Sequence, residues 1–229
     1  MGNHTSNLPL VKNISCSYRT FSENANGRHI IRGGIAVEYE RMISPIDSKV
    51  PFEEYSKEQA EEYFQWFMTQ IEHRIQVLDL YIKKEGEEIE FDYTPASLIS
   101  LWRWYEKHIV EEKVPLVEYI QEIRSQPKWM REWIPRRRIS LRKTMIFGSD
   151  IAIYFAEVVR KNSNGKIYWG YFTRPKNMEG ANQPVLMGFR VKITMEPYGI
   201  IHVCTMDSAE QKKETRLFDL YNVWREDIV

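Results

Sequence analysis

Along SKEQAEEYFQWFMTQIEHRIQVLDLYIKKEG, apolar side chains return every three or four residues. Ala60, Tyr63, Phe64, Phe67, Ile71, Ile75, Leu78 and Ile82 share one broad face, which predicts a long helix with one buried side. Ser56 and Gln59 supply a capping box at its start, and Gly86 supplies a stop. DYTPASLISLWRWYEKHI repeats the pattern through Leu98, Leu101, Trp102, Tyr105 and Ile109, with Thr94 as cap and Pro95 in the first turn. Pro115 opens a third helical stretch, VPLVEYIQEIRSQ, and Pro127 opens a short successor, PKWMREWI. Residues 56–134 therefore read as predominantly helical.

After the basic connector PRRRISLRK, residues 149–161 predict a helix capped by Ser149 or Asp150. Asn164-Gly165 marks a turn, and KIYWGYF reads as a strand. VLMGFRVKITM and GIIHVCTM read as two further strands separated by EPYG, and TRLFDLYNVWRED as a last helix through Leu217, Leu220, Tyr221 and Trp224. Ahead of the helical block, residues 1–28 form an irregular lead-in, in which NISCSYRTF suits a short strand and ENANGR a turn. HIIRGGIAVEYERM suits an extended segment broken at Gly33-Gly34, and SPIDSKVP a linker. The expected fold class is α+β: an N-terminal helical block packed against a C-terminal, mainly antiparallel sheet with one or two helices. Residues 29–229 are expected to make one compact domain, with a subdivision near 135–148 as the alternative.

Composition narrows the class without naming a reaction. With 229 residues, 43% hydrophobic and 28% charged, the chain can bury a substantial core without disulfides or a metal. Its two cysteines, Cys16 and Cys204, read as separate thiols. There is no apolar run long enough for a membrane helix, and MGNHTSNLPLV lacks a secretory hydrophobic core, so the expectation is a cytoplasmic protein without a membrane partner. The net charge of zero hides an asymmetry: residues 1–114 carry 13 Lys/Arg and 19 Asp/Glu, residues 115–229 carry 19 and 13. Opposed charge of this kind favours attraction between halves over one extended nucleic-acid footprint.

Candidate chemistry is sparse. Glu157 stands on the edge of the apolar face of Ile151, Tyr154, Phe155, Val158 and Val159, where a carboxylate must be exposed, paired or protonated; it is a weak candidate for general acid/base work. If IIHVCTM is a strand, His202 and Cys204 point to one side and form the other weak catalytic pair. Ser149 in FGSDI lacks the Gly-x-Ser-x-Gly elbow. Gly33-Gly34 lacks the rest of a phosphate-binding loop, and the five histidines lack close ligand spacing, so no cofactor and no metal are expected. In REWIPRRRISLRK, Arg131, Arg136, Arg137, Arg138, Arg142 and Lys143 suit either phosphate contacts, with Trp133 stacking on a base, or a solvated connector drawn to the acidic half. Trp66, Trp102, Trp104 and Tyr105 suit either core packing or a partner surface.

YSKEQAEEYFQWFMTQIEHRIQVL, DYTPASLISLWRWYEKHI, IYFAEVVRKNSNGKIYWGYF and NQPVLMGF together resemble an uncharacterised family of small bacterial proteins over roughly residues 55–190, with Ala156-Glu157 in place of a Gly-Glu form. The resemblance implies an accessory or immunity-type protein and carries over no catalytic residue. The first expectation is thus a protein-binding accessory module, of the immunity or toxin-neutralising kind, using Trp66, Trp102, Trp104, Tyr105 and Arg136, Arg137 and Arg138. A hydrolase with a non-motif site and a nucleic-acid-binding protein using residues 131–143 are the alternatives.

Overall fold

A helix that is apolar on every side has to lie inside the molecule. The helix Gly148–Lys161 comes close to that description, with all positions from Asp150 to Val159 buried and Asp150 and Glu157 the only charged side chains among them. The computed structural model describes residues 28–30, 36–47, 49–176, 178, 180–190 and 192–228. In chain order they form β1 (Arg28–Ile30), β2 (Ala36–Glu38), α1 (Lys57–Lys84), α2 (Ser97–Lys107), β3 (Glu111–Lys113), α3 (Leu116–Ser125), β4 (Arg137–Ile139), α4 (Leu141–Thr144), α5 (Gly148–Lys161), β5 (Tyr168–Gly170), β6 (Val185–Met187), α6 (Pro197–Asp207) and α7 (Arg216–Glu226). Short 3-10 helices lie at Phe52–Glu54 and Lys128–Trp133. NISCSYRTF, most of ENANGR, His4, Cys16 and Gly33-Gly34 lie outside the described residues.

The long helix α1 starts as its pattern predicts. Ser56 Oγ accepts from the Gln59 backbone N–H at 3.1 Å, and Gln59 accepts from the Ser56 N–H at 2.9 Å. Gly86, at φ +81°, ends it. Ala60, Tyr63, Phe67, Ile75, Leu78 and Ile82 are buried, joined by Tyr81 and, unusually, Arg74. Helices α1, α6 and α7 pack against α5, and α2 packs against α7. Asn164 and Gly165 both take positive φ, the geometry of a primed turn, and lead the chain out of α5 toward β5.

The expected α+β arrangement, with a helical block against a C-terminal sheet, is overturned. The protein is mostly helical, and among the described residues the strands form three separate two-stranded antiparallel ladders: β1–β2, β3–β4 and β5–β6. VLMGFRVKITM supplies only β6, with Leu186 also bridging Met195. GIIHVCTM belongs to α6, not to a strand. A short, mostly apolar run has no decisive period of its own, and the residues before it decide its conformation. Glu196 is the N-cap and accepts from the Tyr198 backbone N–H at 2.9 Å and from that of Gly199, while Pro197 takes the first helical position, where its missing N–H costs nothing. Among the described residues, no helix is long and apolar enough to cross a membrane.

Because Glu196 closes two otherwise orphaned donors at a buried helix start, Glu196→Ala is expected to lower stability by about 1–2 kcal/mol in urea-unfolding titrations.

Candidate functional site

Burying a guanidinium demands acceptors. Arg74, on α1 and 2% exposed, finds them in the first turn of α5. Its Nε donates to Asp150 Oδ1 at 2.8 Å and its Nη2 to Asp150 Oδ2 at 2.6 Å and to the Glu40 carbonyl at 2.6 Å. Tyr39 donates its hydroxyl to Asp150 Oδ2 and packs edge-on against Tyr81 and Phe147. Burial pushes the Tyr39 phenol well above its ordinary pKa, and the Asp150 charge adds to the effect, so Tyr39 stays a donor. Burial also raises the Asp150 carboxyl, against the pull of Arg74. Outside this pair, Glu40 is bound to His73 at 2.8 Å on the exposed rim. Arg74 and Asp150 also form part of the wall of a cleft of about 180 Å³, together with Arg41, Met42, Leu141, Met145, Ile146 and Ser149. The predicted capping role of Ser149 or Asp150 is corrected here: Phe147 is the N-cap of α5, without a side-chain cap, and Asp150 is committed to Arg74.

Of the three weak catalytic candidates, Glu157 and Cys204 are buried and His202 is half-buried. Glu157 is 3% exposed; its Oε1 accepts from Arg160 Nε at 2.8 Å and Trp169 Nε1 at 2.7 Å, and its Oε2 from Arg160 Nη2 at 2.7 Å. This is a clip between α5 and β5, with both oxygens occupied. His202 and Cys204 lie two residues apart on α6, about 200° around a helix, so the shared side expected of a strand is lost. Cys204 is buried, and burial pushes its thiol up to about 12. Burial lowers the pKa of the half-buried His202. Among the described residues, no group of three or more His, Cys, Asp or Glu side chains is placed to hold a metal ion.

The aromatic candidates also separate. Trp102, Trp104 and Tyr105 lie in the core, which corrects their assignment to a partner surface. Trp104 Nε1 donates to Glu85 Oε2 at 2.8 Å, and the Tyr105 hydroxyl meets Thr205 Oγ1 at 2.9 Å. Trp66 is partly buried and packs against Tyr63. The exposed tryptophans are elsewhere, at Trp129 and Trp133, 73% and 81% exposed.

Those two belong to an excursion over residues 110–140. Its stem is the β3–β4 ladder, which pairs Glu111 with Ile139 and Lys113 with Arg137 and is extended by Val114 N–H donating to Arg136 O at 2.8 Å and Ser140 N–H to Val110 O at 2.7 Å. Between the strands, α3 and the Lys128–Trp133 helix contribute no buried residue. Leu116, Val117 and Ile120 are exposed along α3. Local bonds shape the excursion: Tyr119 donates its hydroxyl to Ile134 O at 3.2 Å, and Arg131 Nε donates to Gln126 O at 3.0 Å. Of the basic candidates, Arg137 pairs with Glu111, Arg138 with Glu122 and Lys143 with Glu112, whereas Arg136 is exposed and has no ion pair among the described residues; Lys113, Arg124 and Lys128 on the same excursion are likewise exposed and have none there. Only the Pro115 and Pro127 boundaries signalled this in the sequence; the helical spacing of Leu116 and Ile120 is the same as that of a buried face.

Comparison with protein-family models, with curated proteins and with solved structures found no match.

Removing one partner of the central pair leaves a buried charge. Arg74→Met is therefore expected to cost about 3–5 kcal/mol in denaturant titrations, and the Arg74→Met/Asp150→Leu double variant to recover much of it. In a Cys16→Ser background, Cys204 is expected to resist iodoacetamide at pH 8, far below its raised pKa, and to react fully once urea unfolds the chain. Fast native labelling would restore the thiol as a nucleophile candidate.

Proposed function

We propose that this protein is a protein-binding module that docks an acidic partner surface through the excursion at residues 110–140. The observation that carries this reading is the exposure, within one excursion, of Trp129, Trp133, Leu116, Val117 and Ile120, on helices that bury nothing of their own. Large exposed apolar groups with polar neighbours are the composition of an interface centre and rim. Tryptophan is also the side chain most enriched where truncation costs binding energy.

Charge chooses among partners. Residues 110–140 hold seven Lys/Arg and five Asp/Glu, so the excess is positive but interspersed. Glu111 and Glu122 already hold Arg137 and Arg138, which weakens the triple-arginine segment as a phosphate track. Mixed charge around apolar anchors suits a protein partner with a hydrophobic pocket and a predominantly acidic rim, met by Lys113, Arg124, Lys128 and Arg136. In the immunity-type form that the sequence resemblance implies, such a complex would cover the working surface of its partner.

The test is affinity capture from the native cells followed by titration of the purified partner against the full chain. A directly binding protein with an acidic contact surface is expected, with Trp129→Ala/Trp133→Ala weakening the complex about 30-fold or more at unchanged stability. Failure of every captured protein to bind directly, or an undiminished complex with the double variant, would sink the proposal. So would tighter retention of RNA or anionic vesicles than of any protein.

A further inference from the structure

Two helices of the core end on one pair of side chains. Glu85 is the C-cap of α1 and His108 the C-cap of α2, and His108 Nε2 lies 3.1 Å from Glu85 Oε2 and 3.2 Å from its Oε1. The other ring nitrogen, Nδ1, lies 2.9 Å from the Trp104 carbonyl oxygen. Both neighbours are acceptors, and neither a carbonyl nor an ionised carboxylate can donate in return. The ring satisfies both only with a proton on each nitrogen, which is its charged form. A neutral ring keeps one of the two bonds and turns a lone pair toward the other acceptor.

The surroundings suit the charged ring. The Trp104 indole lies against the imidazole with ring centroids 4.3 Å apart, Phe147 meets it edge-on at 5.4 Å, and the end of α2 supplies the negative pole of the helix. Glu85 is fixed from a second side, because Trp104 Nε1 donates to its Oε2 at 2.8 Å. Beside Glu85, burial and then the carboxylate charge push the Tyr81 phenol up to about 12, so Tyr81 stays protonated. Lys107, the cation next to His108 in the chain, is paired with Glu87 at 2.8 Å. Two residues beyond His108 the stem of the excursion begins: the Val110 carbonyl accepts from the Ser140 N–H at 2.7 Å, and the Val110 N–H donates to Thr144 Oγ1 at 3.0 Å. The end of α2 therefore sets where the root of β3–β4 lies.

We propose that His108 is a proton-controlled latch at the root of the excursion: charged, it ties the end of α2 to Glu85 and holds the stem; neutral, it gives up one bond and the root opens more readily. The stabilisation is present on the acid side, where the ring carries its second proton, and is lost as pH rises through the titration of the ring. The device belongs to the stem and holds whatever the excursion binds.

Amide hydrogen exchange of the 15N-labelled full chain, corrected for the intrinsic pH dependence, reads the latch at Val114 and Ser140, whose N–H groups extend the ladder. From about pH 5.5 to about pH 8, the range in which histidine changes charge, their protection is expected to fall about tenfold while that of α5 amides stays constant. The midpoint of this step is expected to coincide with that of the His108 ring 15N shifts. In His108→Gln and in Glu85→Gln the step is expected to vanish, and in His73→Gln, at the exposed Glu40 pair, to persist. Equal protection of the unsubstituted chain at both pH values, or a midpoint that differs from that of the ring, would overturn the proposal without recourse to any variant. A step that survives His108→Gln or Glu85→Gln, a step lost in His73→Gln, or an equal fall throughout α5 would overturn it as well.

Discussion

The contact between Arg74 and Asp150 sets the terms for the rest of the molecule. It joins the middle of α1 to the first turn of α5, and through the Glu40 carbonyl and the Tyr39 hydroxyl it gathers in the segment that precedes both. Apolar packing alone would let two helices slide or rotate by a turn at modest cost. A two-point contact between guanidinium and carboxylate, closed off by Tyr39, Tyr81 and Phe147, admits one register. Once that register is set, Glu157 on the same helix comes to rest under the Trp169 indole and fixes β5 in the same way. The central helix is thus held by carboxylates near both ends, each shared with a neighbouring element or side chain.

Much of the helical scaffold was legible in the chain, for physical reasons that differ from helix to helix. Helix α1 has a local start signal and a long amphipathic period, and both act within its own residues. Helix α6 was missed because its apolar run fits two conformations; the Glu196-Pro197 pair, an acceptor followed by a residue that cannot donate, was the available cue. The pairing of Arg74 with Asp150 was out of reach, since 76 residues separate them and neither carries a motif. For Glu157 the chain left three outcomes open, exposed, paired or protonated, and the fold selects pairing, with Arg160 and Trp169 as the partners.

Tryptophan shows why residue type alone misleads about surfaces. Trp102 and Trp104 sit on a helix that α7, Tyr81 and Phe147 help to cover, and they vanish into the core. Trp129 and Trp133 follow Pro127 on a short 3-10 helix, a shape that presents side chains without offering a continuous stripe for a neighbour to cover. The same side chain is a core filler in one setting and an unmet surface in the other, and the difference lies in the length and regularity of the backbone beneath it.

The β3–β4 stem brings the chain out of the core and returns it at adjacent points, so that everything between Val114 and Arg136 hangs from a single pair of strands. Such a segment is an interchangeable cassette. Its sequence and length can change while Tyr39, Arg74, Asp150 and Glu157 keep the scaffold constant, because α3 and the Lys128–Trp133 helix bury no side chain of their own.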